Sequence, residues 1–304
     1  MTRRRRSGTR DSERALWQAH FVRDRLTRNG QDSVLVPVKS TGDLVLDKPL
    51  YELGITGIFT KTLDVALLKG EIDLAVHSMK DVPTALPLGI VQGAVFERAN
   101  PLDLLVHKGL DFLNAEGIVA TGSLRRKAQW LHRYPLHEIV DLRGNVNTRM
   151  QKLEENPWNA AIFAAAGLER IGLLPGKYSE LHWMLPAPAQ GAVLAVCREE
   201  DTHTRQILSS LNHEESERCT SLEREFLREL EGGCTAPIGA IAQVHGSSVR
   251  FRGGVFSLDG SQTALIDKEV SIQDTKHLGL QCAREVLSNG GDLIMDSIRK
   301  SQRQ

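Results

Sequence analysis

The chain has 304 residues, 41% apolar and 25% charged, and its 38 basic side chains are balanced by 38 acidic ones. That is the composition of a folded protein with room for two or three domains, and its zero formal charge gives no global electrostatic case for nucleic acid or a membrane surface. Four cysteines, none in C-x-x-C spacing or beside closely spaced histidines, make neither a disulfide framework nor a zinc site, so no metal is expected and a reducing compartment is the default.

Met1-Thr2-Arg3-Arg4-Arg5-Arg6 is basic, but no apolar h-region follows it, and no apolar run approaches the length of a membrane span. The chain therefore reads as cytoplasmic, and the arginine run as a solvated tail or cloning remnant, with a nucleic-acid arm as the lesser alternative. Asp11 or Ser12 can cap a helix to about Arg28, stopped by Asn29-Gly30, with Leu16, Ala19, Val22 and Leu26 at helical spacing. Residues 34–38 read as a strand, Thr60 as the cap of a helix through Leu68 closed by Gly70, and 72–76 as a short apolar strand. That strand ends in His77-Ser78-Met79-Lys80-Asp81-Val82-Pro83. Strands alternating with helices predict a parallel α/β sheet, in which ligands bind beyond the carboxyl ends of the strands. The segment from His77 to Asp81 falls there; Lys80 and Asp81 can equally be solvated residues of a turn.

A strand–turn–helix pattern then recurs three times. It comprises strand 118–120, turn Thr121-Gly122-Ser123 and a helix from Leu124; strand 138–142, turn Arg143-Gly144-Asn145 and helix 146–153; and strand 160–163 with helical start 165–169. Free N–H groups and the positive end of the helix dipole make such junctions anion sites. Arg125 and Arg126 in a first helical turn oppose that dipole, which a bound anion would relieve. Arg125, Arg126, Arg143, Arg149 and Arg170 are thus expected at one edge of one sheet, where guanidinium forks suit carboxylate or phosphate. Neither a P-loop nor a dinucleotide fingerprint is present, so a nucleotide is not indicated.

Leu185-Pro186-Ala187-Pro188-Ala189-Gln190-Gly191 reads as a stiff connector, followed by a buried strand, 192–196, that can return to the first sheet. Helices at 202–211 and 214–230, strands at 238–244, 249–256 and 263–270, and a helix at 274–287 closed by Asn289-Gly290-Gly291 complete the chain. The last part is a small α+β domain in which Cys282 is core; Cys197, closing an apolar strand, is core as well. Glu231-Gly232-Gly233-Cys234-Thr235-Ala236-Pro237-Ile238-Gly239 places Cys234 on a short loop between two glycines and a proline. A thiol that must be reached fits that loop, and a structural cysteine is the alternative.

Several stretches together resemble porphobilinogen deaminase, also called hydroxymethylbilane synthase. They are Gly8-Thr9-Arg10-Asp11-Ser12 with Ala15-Leu16-Trp17-Gln18-Ala19, Thr41-Gly42-Asp43, the segment 77–83, Ser123-Leu124-Arg125-Arg126, Leu142-Arg143-Gly144-Asn145 with Thr148-Arg149, 167–170, Gln190-Gly191-Ala192 and 231–239. They stand in family order and cover essentially the whole chain. The resemblance implies an α/β fold of two periplasmic-binding-protein-like lobes flanking a cleft, residues 1–96 with 191–212 and residues 97–190. A small α+β domain, 213–304, would carry a dipyrromethane cofactor as a thioether on Cys234. It implies a monomeric transferase that joins four porphobilinogen molecules head to tail with loss of ammonia, giving hydroxymethylbilane for uroporphyrinogen-III synthase in tetrapyrrole biosynthesis.

The resemblance also assigns roles. Lys80, Ser123, Arg125 and Arg126, with Asp43 and Thr121, would bind the cofactor. Arg10, Ser12, Arg143, Arg149, Arg170 and Gln190 would bind substrate or growing chain. Asp81 would stabilise the cation left when ammonia departs and handle the pyrrole protons. The chain departs from the family pattern at Thr56, where a lysine is usual, at the polar first strand of residues 3–7, and at Glu13-Arg14 in place of a pair such as Pro-Leu. Two other functions compete: a two-lobed carboxylate-binding protein without catalysis, and a cysteine-nucleophile enzyme using Cys234 with His77 or another histidine.

Overall fold

The computed structural model describes residues 4–39, 60–230 and 236–301. In chain order the first elements are β1 Arg5–Thr9, α1 Glu13–Arg28, β2 Ser33–Pro37, α2 Lys61–Leu68, β3 Leu74–Ser78 with a 3-10 turn Met79–Asp81, and β4 Ile90–Val95. There follow β5 Asp103–His107, β6 Ile118–Ala120, α3 Leu124–Arg133, β7 Glu138–Val140, α4 Val146–Glu155, β8 Ala160–Ala164, α5 Ala165–Glu169 and β9 Tyr178–Glu180. The chain ends with β10 Val193–Arg198, α6 Thr202–Ser209, α7 Glu214–Glu229, β11 Ile238–His245, β12 Ser248–Phe256, β13 Thr263–Ser271, α8 Leu278–Val286 and α9 Asp292–Ser301. The described residues form two compact units, one of 4–39, 60–99 and 191–218, the other of 100–190, 219–230 and 236–301. No helix among them is long and apolar enough to cross a membrane.

The first unit is built on a sheet of order β2-β1-β3-β10-β4. Strands β1, β2 and β3 are parallel, but β10 runs antiparallel to β3, pairing Val193 with Ser78. The sheet is therefore mixed rather than parallel, although β10 does return to it as expected. Short apolar runs carry no information about strand direction, so the antiparallel run of β10 was not legible. Helix α1 turns Ala15, Gln18, Ala19, Val22 and Leu26 inward at helical spacing. Val22 and Leu26 are fully buried, each gaining about 1.5–3 kcal/mol of transfer free energy.

The second unit holds a sheet of the same plan, β7-β6-β8-β5-β9, in which β6, β7 and β8 are parallel and β5 and β9 complete the antiparallel side. It also holds the antiparallel meander β11-β12-β13. Phe226 of α7, Phe251 of β12, and Leu278 and Cys282 of α8 share the core of that meander, with the two phenylalanine rings 5.2 Å apart. The fold class expected from the resemblance, two α/β lobes with a small C-terminal α+β part, is the one observed.

Two local expectations are overturned. Arg5 and Arg6 are not a solvated tail: they lie in β1, where Arg5 is buried and donates to Gln31 Oε1 at 3.1 Å. Arg6 binds Asp73 through its backbone N–H at 2.9 Å and through Nη2 at 2.8 Å, and also reaches Gly70 O at 2.6 Å. The polar first strand is thus tied by a carboxylate 67 residues away, which a local pattern does not reveal. Its glycine is a close approach: a Cβ on Gly8 would come within 2.3 Å of Ile72 Cδ1. At the other end, the helix before Asn289-Gly290-Gly291 closes there as expected, but it is not the last one. With φ of +93° Gly290 kinks the chain, which continues as α9.

Candidate functional site

In the first unit, β1 and β3 are parallel neighbours, so the residues following them, Arg10 and Ser12 after β1 and Lys80 and Asp81 after β3, leave the sheet on the same side. The turn carrying Asp81 is pinned by Met79, which is buried and donates its N–H to Ala192 O at 3.0 Å. Helix α1 latches the same segment twice. Gln18 Nε2 donates to Ser78 Oγ at 2.8 Å, and one turn earlier Arg14 Nη2 donates to Asp81 Oδ2 at 3.2 Å. Asp81 has no second hydrogen-bond partner among the described residues, and its side chain is 25% exposed. Ser12 occupies the N-cap position of α1 without a side-chain cap bond.

His77, just before that turn, is buried, and its Nε2 has no hydrogen-bond partner among the described residues. Burial pushes its pKa from 6.5 down to about 4, an effect that Asp81 opposes and Arg10 reinforces. An imidazole held that low is neutral at pH 7 and too weak a base to activate a thiol. The folded state thus disfavours the proton that the unfolded state takes up below pH 6.5. Stability from this residue is fully present above pH 6.5 and is lost as the pH falls towards 4. Urea denaturation is expected to show wild type losing about 3 kcal/mol more between pH 7 and pH 4 than His77→Leu does. Equal losses in the two proteins would contradict this.

In the second unit the parallel strands β7, β6 and β8 send their following loops off one edge of the sheet. Those loops carry Thr121, Ser123 and Arg143, and Arg170 follows α5. Ser123 Oγ accepts from Arg126 N at 3.4 Å, Asn145 Oδ1 accepts from Thr148 N at 2.9 Å, and buried Thr121 accepts from Ser123 N at 3.3 Å. A Cβ on Gly122 would lie 2.7 Å from Leu142 O, so the loops after β6 and β7 touch. Arg149 Nε braces the second loop through Gly144 O at 2.7 Å.

Arg125 and Arg126 are both buried, and both converge on Asp103. Strand β5 runs antiparallel to β8, pairing Asp103 with Ala164, so the first residue of β5 meets the edge at which β8 ends. Arg125 Nη1 reaches Asp103 Oδ2 at 2.7 Å and Leu185 O at 2.6 Å. Arg126 spends Nε and Nη2 on Asp103 Oδ1, at 3.0 and 2.7 Å, and Nη1 on Ile162 O at 2.9 Å. Burial alone would raise the pKa of the fully enclosed Asp103. The charges of Arg125 and Arg126, with hydrogen bonds from Arg125 and Gln190, outweigh burial and hold the carboxyl well below its usual range.

Gln190 is 1% exposed and donates to Asp103 Oδ1 at 2.9 Å and Pro101 O at 2.8 Å, which places it within the Asp103 cluster. Beside it Ala189, at φ of +62°, is held by buried Glu223, whose carboxylate also accepts from Ala242 N at 2.8 Å. Sequence reasoning missed Asp103 and Glu223. The available signal was an acidic residue opening the apolar run Leu104-Leu105-Val106, since a buried strand tolerates a charge there only with a partner.

Cys197, Cys219 and Cys282 are buried, and burial pushes the Cys197 and Cys282 thiols up to about 11. Cys234, Asp43 with its Thr41-Gly42-Asp43 motif, and Thr56 lie outside the described residues.

The porphobilinogen deaminase dipyromethane cofactor binding domain matches residues 6–206, and the porphobilinogen deaminase C-terminal domain matches residues 217–288. The chain belongs to the porphobilinogen deaminase family. The matched cofactor-binding domain contains both five-stranded sheets and the Asp103 cluster.

The donor set in that domain suits a polycarboxylate. One carboxylate faces two guanidiniums, leaving a surplus positive charge beside the N-terminus of α3, and Arg125 Nε and Nη2 have no partner among the described residues. Similar solved structures include a double mutant of the Bordetella pertussis BvgS VFT2 domain, at 15% identity over 68% of this chain and 85% of that one, with a TM-score of 0.41. An ancestral cationic amino acid solute binding protein matches at 13%, 68%, 86% and 0.45 in the same measures. A probable amino-acid ABC transporter extracellular-binding protein from Bacillus subtilis matches at 12%, 69%, 90% and 0.44.

Proposed function

We propose that this member of the family is a hydroxymethylbilane synthase, joining four porphobilinogen molecules head to tail with release of ammonia. The observation that carries the reading is the Arg125–Asp103–Arg126 cluster, a buried site with surplus positive charge inside the cofactor-binding domain. Cys234 would hold the dipyrromethane as a thioether, with Lys80, Ser123, Arg125, Arg126, Thr121 and Asp43 around it. When bound, the group supplies the pyrrole carbon from which the new chain grows. The domains are 1–96 with 191–212, 97–190 and 213–304, and the protein acts as a cytoplasmic monomer whose product passes to uroporphyrinogen-III synthase.

Porphobilinogen brings an acetate and a propionate with every ring, so the bound charge grows more negative as units are added. Arg10, Ser12, Arg143, Arg149 and Arg170 receive those carboxylates, and Gln190 contributes by fixing Asp103 behind Arg126. In each round the C–N bond of the substrate's aminomethyl group breaks, ammonia leaves, and positive charge develops on the substrate pyrrole. Joining the next unit would then need an acceptor for the proton released as the new C–C bond forms. Asp81 stabilises the cation and manages that proton where bulk water would trap the intermediate.

Intact mass spectrometry tests the assignment. Purified holoenzyme is expected to be heavier than the chain by two linked pyrrole units located on Cys234, and Cys234→Ser is expected to fold without them. An unmodified mass in active protein would exclude this function's thioether and leave the non-catalytic carboxylate-binding alternative or a free cysteine nucleophile.

A further inference from the structure

Arg14 stands where the family resemblance leads one to expect an apolar residue, and it is the residue that touches Asp81. It lies in the first turn of α1, where the helix dipole disfavours a cation. A nearby anion offsets that, and the anion here is the Asp81 carboxylate at 3.2 Å. The contact is a single point between side chains 32% and 25% exposed. Pairs of that kind are weak and readily exchanged. The rest of the latch is independent of charge, since Gln18 holds Ser78 on the same face of α1.

We propose that Arg14 is a positioning residue that holds the Asp81 carboxylate in the resting enzyme and is transferred to a carboxylate of the arriving substrate. The proposal rests on the catalytic reading of Asp81. A carboxylate already matched by a guanidinium does less for a nearby cation than a bare one. Arrival of a substrate acetate or propionate draws Arg14 away and leaves Asp81 unneutralised as positive charge develops on the substrate. Substrate binding and exposure of the catalytic anion are thereby one event, carried by a side chain neighbouring Arg10 and Ser12 in sequence.

A binding cycle tests the exchange. Holoenzyme, Arg14→Leu, Asp81→Asn and the double variant, the Asp81 variants loaded from preformed tetrapyrrole, are titrated calorimetrically. The probe is a porphobilinogen analogue that keeps both carboxylates but lacks the aminomethyl leaving group. Arg14→Leu is expected to bind the analogue about tenfold more weakly, the worth of one charge-assisted contact. Asp81→Asn, which releases Arg14 beforehand, is expected to bind it up to about tenfold more tightly than wild type. In the double variant that gain disappears. Arg14→Lys restores part of the binding, since it keeps the charge but loses the fork. A gain from Asp81→Asn that persists without Arg14, or Arg14→Leu binding within about twofold of wild type, overturns the exchange. Failure of the underlying reading shows separately: loaded Asp81→Asn turning over near the wild-type rate removes the catalytic role of Asp81, whatever the binding cycle gives.

Discussion

Asp81→Asn protein, loaded from preformed tetrapyrrole, is expected to elongate roughly 10²- to 10⁴-fold more slowly than wild type in a single-turnover assay. Expressed without that supply, it should accumulate with little or no cofactor, because assembly uses the same chemistry. The variant keeps the size of the side chain and much of its hydrogen bonding and removes only the charge. Asp81 is three-quarters enclosed at the end of β3, and its carboxylate has one partner among the described residues, the part-exposed Arg14. Once that single partner is drawn off, the carboxylate is bare and its field acts on a cationic neighbour. If Asp81 only shaped the turn, the variant would lose a little stability and turn over within a few-fold of wild type, a barrier change of about 1 kcal/mol or less; that result would sink the catalytic role.

Asp103→Asn is expected to destabilise the protein by about 3–5 kcal/mol, because it leaves two enclosed guanidiniums without their counter-charge. The amide also puts an NH2 in place of one oxygen, so it presents hydrogens either to Arg125 Nη1 or to the Arg126 and Gln190 donors, which need acceptors. The same variant should be isolated largely as apo-protein, since Arg125 then loses the anchor that sets its orientation. Urea denaturation reads the first effect and intact mass the second. Adding Arg126→Met removes one of the stranded charges and should recover a good part of the stability without restoring cofactor. A loss below about 1 kcal/mol in Asp103→Asn would mean that the cluster contributes no more than an exposed ion pair.

What could be read without a structure was local. The helical spacing of Ala19, Val22 and Leu26, the turns ending at Ser123 and Asn145, and the three strands of the C-terminal meander all rest on interactions within a few residues. So did the placement of Arg125, Arg143 and Arg170 after successive strands, because three parallel strand–turn–helix units send their loops to one edge. The motifs by themselves point to the family, and the family-model matches agree.

Tertiary structure decided what depends on partners distant in sequence. Arg125 and Arg126 look like two unanchored forks until β5 enters antiparallel and brings Asp103, 22 and 23 residues upstream, against them. Arg5 and Arg6 look like a solvated tail until β3 packs beside β1 and supplies Asp73. Arg14 looks like a break in an apolar pattern until α1 settles on β3 and its guanidinium meets Asp81. A sequence shows which side chains carry charge and which local geometry they adopt. Strand order and direction select the opposite charge each one meets, and for a buried charge that choice separates a structural anchor from a binding site.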